Sequence, residues 1–383
     1  MARPRVALHV QHLLGIGHLR RAAALARALS AQGAEVLVLS GGVPVPGIDF
    51  GGATLHQLPA AVTADTDFSH LLDSEGRPID DDWKAMRRSH LLQAVAAFRP
   101  DILLIEMFPF GRRPFRFELL PLLDWARAQN PRPLVASSVR DILVEKGKPG
   151  RAAEIAQLVK DCFDLVLVHG DADLVPFGRT FPEAAAIADR LVYTGYVVQV
   201  PDLPPRDRTK GDVLVSAGGG AVGAPLLHAA LAARAYSGLR DRPWRLIAGQ
   251  NLPAADYAAL AAAAALDPGV VLERHRTDFT ELLASCHVSL SQGGYNTVME
   301  ILALQTPALV VPFAEGAESE QTLRATILAE RGALDCLGAD ALAPRELAAR
   351  LDHRARLGSP AFKVAMNGAE RSAEILLERA AHG

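Results

Sequence analysis

Apolar residues along the chain fall in short runs separated by turn-forming clusters, and the runs alternate between strand-like and helix-like spacing. Arg5 to Val10 reads as a buried strand, Gln11 to Gly17 as a turn, and His18 to Gln32 as a helix closed by Gly33 as its C-cap. Glu35 to Leu39 is the next strand. Further strands are predicted at Thr54 to Leu58, Ile102 to Glu106, Leu134 to Ser138, Leu165 to His169 and Leu191 to Tyr193, with helical patterns between most of them, notably Trp83 to Phe98 and Phe117 to Ala128. Such alternation predicts an α/β domain with a mostly parallel sheet, in which ligands bind at the carboxyl ends of strands. Gly15-Ile16-Gly17-His18 occupies that end of the first strand.

From Pro201 to Gly211 the chain reads PDLPPRDRTKG, rich in proline and charge and without an apolar period, which is the composition of an exposed linker. The same grammar then restarts. Asp212 to Ser216 is a strand, Gly218-Gly219-Gly220 with Gly223 a turn, and Ala224 to Ala235 a helix. Strands follow near Arg245 to Ala248, Val270 to Glu273, Val288 to Ser291 and Ala308 to Pro312, and the alanine-rich helix Tyr257 to Leu266 packs on the sheet. The expectation is two Rossmann-like doubly wound domains, residues 1–200 and 212–383, facing each other across a cleft, with the last helix returning to the first domain.

The stretch Val288 to Gln321 carries the densest chemistry. A strand runs directly into Gly293-Gly294, then Asn296-Thr297 and an apolar-periodic helix. Glycines let backbone approach a ligand, and a helix start offers free N–H groups and a positive dipole end to a phosphate. Together with the loop Ser216 to Gly223, this turn would present backbone donors to a diphosphate. In the first domain His18 stands at a helix start after Gly17, where the positive end keeps an imidazole neutral and able to accept a proton, as a general base must. Glu106 and Asp141 each follow an apolar strand, and either is placed to orient that imidazole. Arg20 and Arg21 lie in the first helical turn, where cations oppose the dipole; an anion, donor phosphate or acidic acceptor, would compensate one of them.

Composition narrows the class. The 383 residues, 50% hydrophobic, suffice for two cores. A net charge of −3 gives no basic footprint for nucleic acid. The three cysteines, Cys162, Cys286 and Cys336, are widely spaced in apolar surroundings and suggest neither disulfides nor zinc, so a cytoplasmic location is expected. His9, Gln11 and His12 interrupt the first apolar run too early for a signal peptide, and no run approaches the roughly 20 residues of a membrane span. In FPFGRRPFRF, Phe108, Phe110 and Phe115 alternate with Arg112 and Arg113. The segment reads either as a loop packed on the core or as an amphipathic lip for an anionic membrane surface or lipid-linked acceptor. Asp171-Ala172-Asp173 and Asp80-Asp81-Asp82 read as loop or helix-start acids rather than a metal site.

These motifs, GIGHLRR near the N-terminus and the Val288 to Gln321 stretch, resemble the GT-B glycosyltransferases of the group that includes the peptidoglycan N-acetylglucosaminyltransferase and the UDP-glycosyltransferases. The resemblance is strongest over residues 5–33 and 212–332. It implies an inverting, metal-independent transferase using a nucleotide sugar, a UDP-sugar if Glu300 accepts hydrogen bonds from both ribose hydroxyls. It further implies that Glu320 and Gln321 contact the donor sugar, and that the nucleobase lies near His275. Gly17, Ser216, Gly218, Gly219, Gly293, Gly294, Asn296 and Thr297 would contribute to donor binding. The acceptor, met by loops between Gly41 and Arg88, belongs to polysaccharide, glycolipid or secondary-metabolite synthesis in such relatives. A nucleotide-sugar hydrolase carrying a similar GxGHxxR motif, a 2-epimerase of the same fold and a non-catalytic sugar-nucleotide sensor are the alternatives.

Overall fold

The computed structural model describes residues 3–13, 15–63, 70–143, 150–201, 203, 206–218, 222–313 and 320–382. Gly219, one of the expected donor-binding residues, lies outside them, as does its neighbour Gly220. The chain divides into two compact units, Met1–Val198 with Ala365–Gly383, and Gln199–Val364.

The first unit contains, in order, β1 (Arg5–Val10), α1 (Gly17–Ala31), β2 (Glu35–Ser40), β3 (Thr54–Gln57), β4 (Ala61–Thr63), β5 (Leu71–Asp73), α2 (Asp81–Phe98), β6 (Ile102–Glu106), α3 (Arg116–Arg127), β7 (Leu134–Arg140), α4 (Arg151–Cys162), β8 (Leu165–His169) and β9 (Leu191–Tyr193). The second runs through β10 (Val213–Ser216), α5 (Ala224–Arg234), β11 (Trp244–Ile247), α6 (Ala254–Ala264), β12 (Val270–Glu273), α7 (Phe279–Ser285), β13 (Val288–Gln292), α8 (Tyr295–Ala303), β14 (Ala308–Val311), α9 (Glu320–Glu330), β15 (Asp335–Cys336) and α10 (Pro344–Leu357). The last helix, α11 (Gly368–Ala381), returns to the first unit, where Ala369, Ala373, Ile375 and Leu376 join the core that α1 also covers.

The main sheet of the first unit is wholly parallel in the order β3-β2-β1-β6-β7-β8-β9, and β4-β5 forms a separate antiparallel pair. Alternate residues of each strand enter opposite cores: Val6, Leu8, Ile102 and Leu104 face α1 and α11, while Ala7, Leu103 and Ile105 face the core that includes residues of α2, α3 and α4. A sheet buried on both faces explains strands that read as near-continuous apolar runs. This parity also decides the site, because Glu106 falls on the face of Ile102 and Leu104, toward α1.

The second unit repeats the plan, with parallel order β12-β11-β10-β13-β14-β15. In both units the first strand is flanked by the second and the fourth main-sheet strands, and the chain changes winding direction there. The doubly wound reading of the sequence is borne out.

Several local expectations change. Phe108, Phe110 and Phe115 are 2%, 8% and 0% exposed and lie in the first unit's core, with Phe110 edge-on to Phe177 and Phe181. Burying three aromatic rings gains more than presenting them to water, so they form no lip; of the two arginines, only Arg113 is exposed, paired with Glu154 at 3.1 Å. The charged end of the presumed linker is docked as well: Arg208 donates to the carbonyls of Leu283 and Leu304, both at 2.9 Å. Asp80 caps α2 by accepting from the Trp83 N–H at 2.8 Å, and Asp171 accepts from the Asp173 N–H at 2.9 Å, so both acid runs have local backbone duties. The three cysteines are free, and among the described residues no helix is long and apolar enough to cross a membrane.

Candidate active site

The switch point of the first unit lies between the carboxyl ends of β1 and β6. From β1 the chain turns into α1, whose second residue is His18, half-buried at 17% side-chain exposure. From the end of β6, Glu106 reaches the same place and is 1% exposed. His18 Nδ1 lies 2.9 Å from Glu106 Oε1. One helical turn further, Arg21 grips the same carboxylate: its Nε is 3.1 Å from Oε1 and 3.3 Å from Oε2, and its Nη2 contacts Oε1 more closely. The anion that compensates Arg21 is therefore an internal carboxylate, which corrects the expectation of a ligand there. Arg20 is exposed.

Two donors converge on Glu106 Oε1, which explains why Arg21 Nη2 also comes within 3.2 Å of His18 Nδ1. An ionised carboxylate only accepts, so the 2.9 Å contact puts the imidazole proton on Nδ1 and leaves the Nε2 lone pair available. Nε2 has no hydrogen-bond partner among the described residues. Burial, followed by the charge of Arg112, pushes the His18 value down to about 3, against the opposing pull of the Glu106 hydrogen bond. The ring is therefore neutral near pH 7, with burial and a guanidinium as the leading causes. Burial would raise the Glu106 carboxyl, yet the Arg21 charge and the His18 hydrogen bond hold it well below the usual carboxylate range.

Of the two candidate acids, only Glu106 is hydrogen-bonded to His18. Asp141 is fully buried and accepts from Tyr196 Oη at 2.9 Å and from the Ile142 N–H at 2.9 Å. It lies so close over Gly170 that a Cβ there would meet its own Cβ at 2.5 Å. That is a packing role. The sequence reading missed Ser138, two residues before the end of β7, and His169, the last residue of β8, which share a face and continue the chain of contacts behind Glu106. The signal was present, since both are polar residues at the carboxyl ends of predicted strands.

In the second unit Ser216 and Ser291 are register partners on the adjacent strands β10 and β13, so the turns that follow them start side by side. Ser216 is 2% exposed, and Gly218 has φ +69, a left-handed conformation that favours glycine. Gly293 is packed: a Cβ there would lie 3.2 Å from Gln321 Oε1 and 3.2 Å from Pro312 Cα. A Cβ on Gly294 would meet nothing within 4 Å, so of the pair this one borders open space. Gly294 is the N-cap of α8 and supplies no side-chain acceptor, which leaves the first-turn N–H groups, including those of Asn296 and Thr297, without a side-chain cap. Glu300 lies half-buried further along α8, and His275 is exposed just beyond β12.

Gln321 Oε1 accepts from the Phe313 N–H at 3.1 Å. Glu320 is 6% exposed and paired at 2.8 Å with Arg324, whose guanidinium stacks over Tyr295 at 4.8 Å. Arg324 and Tyr295 were not anticipated from sequence. They fix the start of α9 against the start of α8 and give the Glu320 carboxylate an internal cation.

Two units whose main sheets run 3-2-1-4-5-6, the first with a seventh strand added, each with a glycine turn running into a helix at its switch point, define the GT-B class of fold. Comparison with known proteins agrees. Residues 244–375 match the Glycosyltransferase family 28 C-terminal domain. The UDP-N-acetylglucosamine–N-acetylmuramyl-(pentapeptide) pyrophosphoryl-undecaprenol N-acetylglucosamine transferase of Methylibium petroleiphilum is 32% identical over 206 residues, covering 49% of this chain and 56% of that protein. Its namesake in Mesorhizobium japonicum is 30% identical over 139 residues, covering 35% and 37%. These matches span less than two thirds of the relatives' own length. Among solved structures, the glycosyltransferase of kitacinnamycin superposes with a TM-score of 0.64 at 16% identity, over 99% of this chain and 100% of its own. MurG of Acinetobacter baumannii does so with a TM-score of 0.57 at 16% identity, over 98% and 100%. At such identities the structural likeness is one of fold. The resemblance read from the motifs, to GT-B glycosyltransferases of this group, is borne out.

Proposed function

We propose that the chain moves a sugar from a nucleotide sugar, a UDP-sugar, to an acceptor hydroxyl with inversion at the anomeric carbon. The observation that carries this reading is the His18–Glu106 hydrogen bond of 2.9 Å, which leaves Nε2 of a neutral imidazole without a partner among the described residues. Nε2 takes the acceptor proton as the oxygen attacks, and Glu106 stabilises the imidazolium that forms. The α8 start and the turns at Gly218 and Gly294 hold the departing diphosphate through backbone N–H groups, which offset its developing charge. Glu300 accepts from the ribose diol, Gln321 and Glu320 orient the donor sugar, and His275 borders the base. The relatives' name supports a UDP donor and raises a lipid-linked acceptor as the first class to assay.

The test is incubation with a panel of nucleotide sugars, with and without candidate acceptors including undecaprenyl-diphosphate-linked ones, following nucleotide release. Release only with acceptor supports transfer. Release without acceptor means a hydrolase, isomerised donor without release a 2-epimerase, and binding without turnover a sensor. His18→Ala is expected to lose turnover while retaining donor affinity; unchanged turnover removes His18 as the base.

A further inference from the structure

Behind Glu106 lies a line of buried polar groups that base catalysis by itself does not require. Ser138 is the parallel-register partner of Glu106, so the two side chains stand side by side on the face toward α1. Ser138 Oγ is hydrogen-bonded to Glu106 Oε2, and His169 Nε2 lies 2.8 Å from that same Oγ. His169 Nδ1 is in turn 2.9 Å from Thr194 Oγ1. Ser138 and His169 are 0% exposed and Thr194 is 3% exposed.

Donor counting orders these bonds. The carboxylate only accepts, so the serine hydroxyl donates to Oε2; its oxygen must then accept from His169, which places that proton on His169 Nε2. We propose that Ser138 and His169 are positioning residues that extend the His18–Glu106 pair and hold His18 in the Nδ1–H tautomer. The competing arrangement is built into the site. Arg21 Nη2 stands 3.2 Å from His18 Nδ1, close enough to donate to it if the carboxylate turns away. The carboxylate torsion is broad, and of the groups that hold it the Ser138 hydroxyl is the one bonded to Oε2 from the side away from His18 and Arg21's competing Nη2, so it adds the restraint against that rotation. Without it, the carboxylate can rotate against Arg21 so that Oε1 leaves His18, Arg21 Nη2 donates to Nδ1, and the His18 proton moves to Nε2. That nitrogen then has no lone pair for the acceptor.

The kinetic arm of the test rests on the transferase reading; the spectroscopic arm does not. Full-length protein labelled with 15N-histidine shows which ring nitrogen carries the proton. The expected wild-type pattern is Nδ1–H for His18 and Nε2–H for His169. In Ser138→Ala and His169→Leu the His18 signals move to the Nε2–H pattern, whereas His169→Gln, which keeps a donor toward Ser138, retains the wild-type pattern. In the first two variants kcat falls at least about tenfold, a part of the ~10²–10⁴-fold that a positioned base supplies, with both KM values nearly unchanged. Retention of the Nδ1–H tautomer in both Ser138→Ala and His169→Leu overturns the proposal. Should the wild-type protein transfer no sugar from any donor, the proposed function fails while the tautomer measurement still decides this inference. Should one variant not fold, the other decides it.

Discussion

Glu106→Gln separates what the carboxylate does for stability from what it does for chemistry. Glu106 is 1% exposed and Arg21 5%, so the substitution leaves a guanidinium buried without its counter-charge. Breaking a buried pair from one side costs about 3–5 kcal/mol, a large fraction of the ~5–15 kcal/mol that a folded domain possesses. The lost charge also frees His18, because a glutamine amide can present either its oxygen or its N–H₂ to Nδ1. Where a carboxylate in a comparable relay is replaced by its amide, turnover falls about 10⁴-fold. The double variant Arg21→Met/Glu106→Gln removes both charges, and exchange of a buried pair for uncharged groups is often close to neutral. Urea unfolding followed by circular dichroism is expected to show a lowered midpoint for Glu106→Gln and recovery of most of the loss in the double variant, with turnover low in both. An unchanged midpoint for the single variant, or recovered turnover in the double, would refute the assignment of both roles to one carboxylate.

Other consequences are open to direct measurement. Burial, followed by a nearby guanidinium, holds His18 and His169 down to about 3, so between their ordinary value and pH 3 the unfolded chain binds protons that the folded one does not. Their contribution is complete above about pH 6.5 and is lost as pH falls below it, by up to about 1.4 kcal/mol per pH unit for each ring. Urea midpoints between pH 7.5 and 5 should fall with acidification, and His18→Gln should flatten the slope; equal slopes would show that His18 does not titrate as described. Gly293→Ala must displace Gln321 or Pro312 and should cost about 1–3 kcal/mol. Gly294→Ala, with open space at the Cβ and φ −59, should leave the midpoint alone and raise the donor KM; an unaltered KM would detach this turn from the diphosphate. Glu300→Ala should weaken UDP in calorimetry by roughly 1.5–3 kcal/mol, the scale of hydrogen bonds to a charged group, and dTDP by less because it lacks the 2′-hydroxyl. Equal losses for the two nucleotides would count against a ribose diol contact.

The α/β alternation, the glycine turns and the polar residues ending strands are local properties, and they were legible because strand and helix periods differ and because a parallel sheet collects its functional groups at one edge. His18, Glu106, Ser138 and His169 were each readable as the last or first polar residue beside an apolar segment. Which of them touch was not readable. Pairing depends on strand order and face parity: β6 beside β1 brings Glu106 to α1, and the even positions of β6 and β7 put Glu106 and Ser138 on one face. Asp141 has the same sequence signature as Glu106 yet goes to Tyr196, and Arg21, an apparent anion ligand, is consumed by Glu106.

The phenylalanines of FPFGRRPFRF illustrate the same limit, since alternation of aromatic and basic residues is compatible with a membrane lip or a core, and only packing, as of Phe108 on Phe163 and Phe110 on Phe177 and Phe181, chose the core. Sequence by itself determined that two doubly wound units carry a histidine at one helix start and glycine turns at others, because backbone propensity and hydrophobic period act over a few residues. Tertiary structure alone decided what keeps the histidine neutral, which carboxylate orients it and which nitrogen remains open. Those depend on burial and on charges brought to residue 18 from positions as far apart as 21, 106 and 112.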